Sequence, residues 1–147
     1  MKYSVIPQLV VPRGGWGTVE FAVKLNGRMP AKEFLESEGE DAGPVLALFK
    51  EMAETGRTAN GNKFSQERGA IYAFKTTVKN RLVRVPCFRI TNRWILAYGF
   101  IKHGAQKGRG KWRPEELDRA DTIRKEHMEV EQKQKDDAQK RRNLGQR

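Results

Sequence analysis

Cysteine is nearly missing from this 147-residue chain: Cys87 stands alone, so no intrachain disulfide can form and a reducing compartment is its natural setting. It lies in an apolar, strand-like run, which reads as a small buried thiol and not as a nucleophile. Histidine is almost as scarce. His103 and His127 are the two present, the ligand spacing of a zinc site is lacking, and no metal or other cofactor is expected. Glycine-rich runs followed by a helix, of the G-x-x-x-x-G-K-[ST] or G-x-G-x-x-G kind, are also missing, which argues against a nucleotide-binding loop. Long hydrophobic runs are absent too. The opening "MKYSVIPQLVVPRGG" is too short for a signal-peptide core and is cut by Pro7, and nothing approaches the roughly 20 apolar residues of a membrane span. These absences lead to the expectation of a soluble cytoplasmic protein without a membrane partner.

The most informative absence is that of acid. From Arg68 to Pro114 there is no Asp or Glu, while Lys and Arg occupy twelve positions: 68, 75, 79, 81, 84, 89, 93, 102, 107, 109, 111 and 113. This block carries +12 against +11 for the whole chain, so everything outside it sums to −1. Concentrated cations raise the local potential more than scattered ones do, and a nucleic-acid backbone is the leading partner for such a block. Its last part, "HGAQKGRGKW", spaces cations with glycine directly after the apolar "ILAYGFIK".

The remaining pattern is that of one modest domain. Residues 3–12 and 18–25 read as extended, with Gly14, Gly15 and Gly17 turning the chain around Trp16, and they could pair as a hairpin. Pro30 fits a first helical turn before Phe34 and Leu35; "PVLALFKEMAETG" sets Val45, Leu48, Phe49 and Met52 at helical spacing until Gly56. "RTANGNKFSQERG" reads as a polar loop carrying Lys63 and Arg68. Three strand-like runs follow, 70–78, 81–91 and 93–102, with links short enough to demand antiparallel hairpins, and Pro86 suggests a bulge or irregular pairing. After Pro114 one long helix begins, whose thin stripe of Leu117, Ala120, Ile123, His127 and Val130 could dock on the body. The class is therefore α+β: a domain over 1–130, with 1–17 as an N-terminal extension and 131–147 as a charged extension, solvated or disordered.

Strand alternation puts Tyr98, Phe100 and Lys102 on one side of the last strand and Ala97, Gly99, Ile101 and His103 on the other; Arg84 falls with Leu82 and Phe88, and Lys75 with Ile71, Ala73 and Thr77. With helices on one side of the sheet only, the second face stays wet, and cations there would converge with the 103–113 loop.

"VEFAVKLNGRMPAKEFLES", "IYAFKT", "RLVRVPCF" and above all "WILAYGFIKHGAQKGRGKWRPEELDRADTIRKEH" resemble the RelE/HigB-type toxins of bacterial type II toxin–antitoxin pairs, in the phage-derived branch of the RelE/ParE superfamily. The likeness covers about residues 18–127. It implies a small antiparallel sheet with two N-terminal helices packed on one side and a long C-terminal helix. The activity it implies is a metal-independent endoribonuclease, an mRNA interferase acting on message in the ribosome, silenced by a cognate antitoxin. Carried over by position, Lys75 and Arg84 would clamp the phosphate, Lys102 or His103 would handle protons, and Tyr98 stands where many relatives have His. Lys63, Arg68, Arg81, Lys107, Arg109, Lys111 and Arg113 are expected to bind backbone. The alternative is a ParE-like gyrase poison or a protein that binds nucleic acid without cutting it.

Overall fold

A computed structural model, describing residues 8–102 and 111–145, lays the chain out as β1 (Thr18–Phe21), α1 (Pro30–Glu38), α2 (Gly43–Thr55), β2 (Phe64–Arg68), β3 (Ile71–Val78), β4 (Arg81–Ile90), β5 (Arg93–Leu96), β6 (Phe100–Lys102) and α3 (Pro114–Gly145), with short 3-10 turns at Gly39–Ala42 and Gly61–Lys63. The α+β class holds. The strands form one sheet in the order β1-β5-β4-β3-β2, with β6 continuing along β4 beyond β5.

Local chemistry sets the meander. Lys79 and Asn80 adopt φ 51° and 63°, the two positive values that a two-residue hairpin turn requires, and Val78 accordingly faces Arg81. Pro86 causes no slip in the β3–β4 ladder, where it sits opposite Ala73. The irregularity lies in the facing strand. Pro86 O accepts from Ala97 N at 2.8 Å, so the missing N–H points the same way, and Ala97–Gly99 separates β5 from β6 at that place. Ala97 and Tyr98, although consecutive, both pack on the α3 side; the alternation shifts by one residue at the break, and Ala97 leaves the face that simple parity assigns it.

Two expectations are corrected. The sheet is mixed and not antiparallel throughout, because β1 lies parallel to β5, Thr18 against Arg93 through Phe21 against Leu96. The long connection through α1, α2 and the meander permits this, as a hairpin could not. The polar loop after α2 is half strand: β2 pairs with β3, anchored by Phe64, whose ring packs on Tyr72, Phe74 and Trp94 at 4.8–5.7 Å. One aromatic residue in "FSQER" is too weak a period-2 signal to read locally. The N-terminal pairing survives in the described part, with Leu9 bridged to Glu20 and Val10 N donating to Val19 O at 2.8 Å.

The sheet is covered on both faces. Leu35, Val45, Phe49 and Met52 from α1 and α2 share a core with Val19, Phe74, Val83, Val85 and Cys87. Leu117, Ala120 and Ile123 of α3 share a second core with Ala22, Ile71, Phe88 and Ile95. The expected wet face is thus half occupied. The docked part of α3 extends to buried Glu131, and beyond it the helix runs on to Gly145 with every described residue but Ala138 exposed. Among the described residues, no helix is long and apolar enough to cross a membrane.

Candidate nucleic-acid interface

Antiparallel register decides which cations meet. Lys75 of β3 lies opposite Arg84 of β4, and Arg84 lies opposite Phe100 of β6. Lys102 sits one pleat further along the same side, against Leu82. Lys75, Arg84 and Lys102 therefore share the face that α3 covers only in part.

Each has a defined environment. Arg84 is 3% exposed, and its guanidinium lies over the Trp112 ring, 4.7 Å from the centroid. Burial lowers its pKa, opposed by the nearby charges of Glu116 and Glu67; an arginine so placed stays charged. Lys75 Nζ donates to Ser65 Oγ at 2.7 Å and stands 3.4 Å from Glu67. Ser65 Oγ in turn donates to Glu67 at 2.6 Å. Lys102 Nζ is 3.3 Å from Glu116 Oε1, which also accepts from Arg113 N at 2.8 Å. Two carboxylates thus flank the buried arginine, one carried by β2 and one by α3. Glu67 lies one residue before the acid-free block and Glu116 in the first turn of α3. A lysine-bound carboxylate across the fold leaves no local signature.

Tyr98 is not placed as a base. It is 3% exposed, its hydroxyl donates to Glu116 O at 2.8 Å, and burial raises its pKa, with the nearby Arg119 charge pulling the other way and Glu116 adding to the rise. A phenol so held does not ionise near neutrality. It works instead as a packing post: its ring stacks on Phe100 at 5.5 Å, and Phe100 meets Trp112 edge-on at 5.6 Å. Cys87, fully buried with its thiol pushed well up by burial, is the inert group expected.

The residues expected to bind backbone scatter. Lys63 reaches the face, sharing with Lys75, Asn60, Asn62 and Thr77 a cleft of about 210 Å³ beside the cations. Arg68 is held by Asp118 at 2.6 Å. Arg81 turns to the opposite face, where Glu38 and Asp41 each take it at 3.1 Å. Lys111 and Arg113 are exposed near the start of α3. His103, Lys107 and Arg109 lie outside the described residues. The acid-free block is therefore not one bare patch. Ten of its cations are described, and six of these, Arg68, Lys75, Lys79, Arg81, Arg93 and Lys102, pair with carboxylates from outside it.

A separate charged cluster fastens α3. Arg93 of β5 donates to both oxygens of Glu20 at 2.8 and 2.9 Å and to Glu131 of α3. His127 Nδ1 accepts from Val23 N at 2.9 Å, which leaves its proton on Nε2 to meet Glu131 at 2.7 Å. His127 is thereby a structural tie and no ligand. Among the described residues no group of His, Cys, Asp and Glu is arranged to hold a metal ion. Comparison with protein-family models, curated proteins and solved structures finds no match.

Proposed function

We propose that the chain is the toxin of a type II toxin–antitoxin pair, a metal-independent endoribonuclease that cuts mRNA on the ribosome, with the RelE/HigB resemblance supplying the class. The observation that carries this reading is the meeting of Lys75, Arg84 and Lys102 on one sheet face between the carboxylates of Glu67 and Glu116. Cleavage by the ribose 2′-OH needs a proton acceptor, stabilisation of the extra charge on the pentacoordinate phosphorus, and a donor to the departing 5′-oxygen. Arg84, buried beneath Trp112, stabilises the phosphate charge from below. One of Glu67 and Glu116 takes the 2′ proton, and the lysine of the other pair protonates the 5′-oxygen, leaving a 2′,3′-cyclic phosphate and a 5′-hydroxyl end. An aromatic ledge of Trp112 and Phe100, backed by the buried Tyr98 ring, offers bases a stacking surface. An antitoxin covering this face would silence it.

The test is incubation with translating ribosomes and message in EDTA, mapping of 5′ ends, and comparison with Arg84→Ala and Lys102→Ala. Ribosome-dependent cuts that vanish in both variants are expected. Intact message together with salt-sensitive nucleic-acid binding would replace this reading with a binding-only protein, and gyrase would be the next target to assay.

A further inference from the structure

The aromatic ledge does not end at Tyr98. The guanidinium of Arg119, one turn beyond Glu116 on α3, lies 4.2 Å from the centre of the Tyr98 ring, so Arg84, Trp112, Phe100, Tyr98 and Arg119 form a continuous run of packed groups. Past Arg119 the surface opens into a cleft of about 300 Å³, lined by Lys24, Arg28, Glu33, Phe34, Tyr98 and Arg119 among others. Gly99 makes the cleft possible in the fold: a Cβ there would stand 2.3 Å from the Phe34 ring, so only glycine lets α1 close on this edge.

Charge distinguishes this cleft from the rest of the basic surface. Arg28 is answered by Glu33 through a two-pronged contact at 2.5 and 3.0 Å. Lys24 and Arg119 form no ion pair among the described residues, and neither belongs to the acid-free block. The cleft therefore combines two cations without an ion-pair partner, the exposed guanidinium of Arg119 spread over the buried Tyr98 ring, and a carboxylate with spare acceptor capacity. An acidic peptide side chain would satisfy only the cations. A nucleotide brings an anionic phosphate for Lys24 and Arg119, a flat base for the exposed face of the Arg119 guanidinium and hydroxyl or amino donors for Glu33.

We propose that this cleft is a second subsite, which holds a nucleotide flanking the reactive phosphate, with Lys24 and Arg119 gripping its phosphate. The proposal rests on the RNA reading above and extends it to a single strand running from Trp112 and Phe100 over Arg119 to α1.

Binding of uncleavable 2′-O-methyl RNA separates the two ideas. Anisotropy titrations with a dinucleotide and a hexanucleotide would compare the wild-type chain, Arg84→Gln, and the double variant Lys24→Gln/Arg119→Gln, whose stems preserve packing; melting curves confirm that each is folded. The expected result is that the hexanucleotide binds the wild type more tightly and that the double variant binds the hexanucleotide alone about tenfold more weakly. Its salt slope should also fall by about 0.7 for each phosphate no longer neutralised by the protein. An undiminished hexanucleotide affinity in the double variant would overturn the subsite and leave the proposed function standing. Failure of the wild type to bind either RNA would also overturn the subsite, whereas the proposed function stands or falls separately on the ribosome-dependent cleavage assay. Equal competition by polyglutamate, abolished in the same double variant, would overturn the nucleotide assignment in favour of an acidic protein segment.

Discussion

Replacing Arg93 with Met removes the one cation shared by Glu20 and Glu131. Those carboxylates are 1% and 7% exposed, one on the strand β1 and the other on α3, so the variant leaves two buried like charges facing a methionine. Breaking a buried pair from one side costs about 3–5 kcal/mol, and at this chain length each kcal/mol lowers the melting temperature by about 2–4 °C. A fall on the order of 10 °C at neutral pH is expected. The pH dependence gives an independent figure. Burial alone would raise the pKa of Glu131, but the hydrogen bonds from His127 and Arg93 outweigh it and bring the group from 4.5 to about 2. A depressed carboxylate contributes its stability above its unfolded pKa and loses it as the pH falls through the folded one. Here that amounts to about 3 kcal/mol, at about 1.4 kcal/mol per unit, present above about pH 4.5 and lost towards pH 2. In Arg93→Met this acid loss should shrink, because protonating Glu131 then relieves repulsion.

The assay is urea unfolding followed by far-ultraviolet circular dichroism from pH 7 to pH 3, on the wild type, Arg93→Met and the neutral triple variant Glu20→Gln/Arg93→Met/Glu131→Gln. The triple variant should recover much of the loss, since no buried charge is left without a counterion. If Arg93→Met stays within about 1 kcal/mol of the wild type at pH 7, or keeps the wild-type acid limb, the cluster does not fasten α3.

Other expectations concern the site and the sheet. Glu67→Gln and Glu116→Gln, assayed for ribosome-dependent cleavage, should differ: removal of the general base costs about 10²–10⁴-fold and abolishes the acid limb of the pH–rate profile, and equal mild effects would refute a carboxylate base. Tyr98→Phe removes a single buried hydrogen bond to Glu116 O and should cost about 1 kcal/mol in unfolding experiments; loss of an ionisation from the pH–rate profile would reinstate the phenol as a proton carrier. Gly17→Ala would bring a Cβ within 2.0 Å of the Asn92 carbonyl oxygen, a backbone atom, and should lower stability by about 1–3 kcal/mol, measured by thermal melting; an unchanged melt would show that β1 can withdraw from the Asn92 turn.

The strands of the meander were legible because their signals are local: period-2 apolar positions and two links too short for anything but hairpins. The pairing of Lys75 with Arg84 follows from the two-residue turn, since no slip intervenes in the ladder, but Lys102 reaches their face only through the shift in alternation at Ala97 and Tyr98. What escaped is whatever a distant partner decides. β2 exists because β3 offers an edge and Phe64 finds Trp94. Glu131 reads as solvent-facing beside Gln132 and Lys133, yet it is buried because Arg93, 38 positions away, waits beneath it.

Charge counting failed for the same reason. An acid-free run of sequence says where cations are, not where their counterions come to rest. Glu38, Asp41, Glu116, Asp118 and Glu131 all lie outside the block, and the fold brings each of them onto one of its cations. Among the described residues, Lys24 and Arg119 are two cations bordering the candidate site without such a partner, and they stand in acid-containing segments that no local count would select. For an α+β domain with helices on both faces of its sheet, potential is set by which carboxylates the helices carry to the strands. Binding surfaces are then to be sought where that delivery stops, at the edge between α1 and α3.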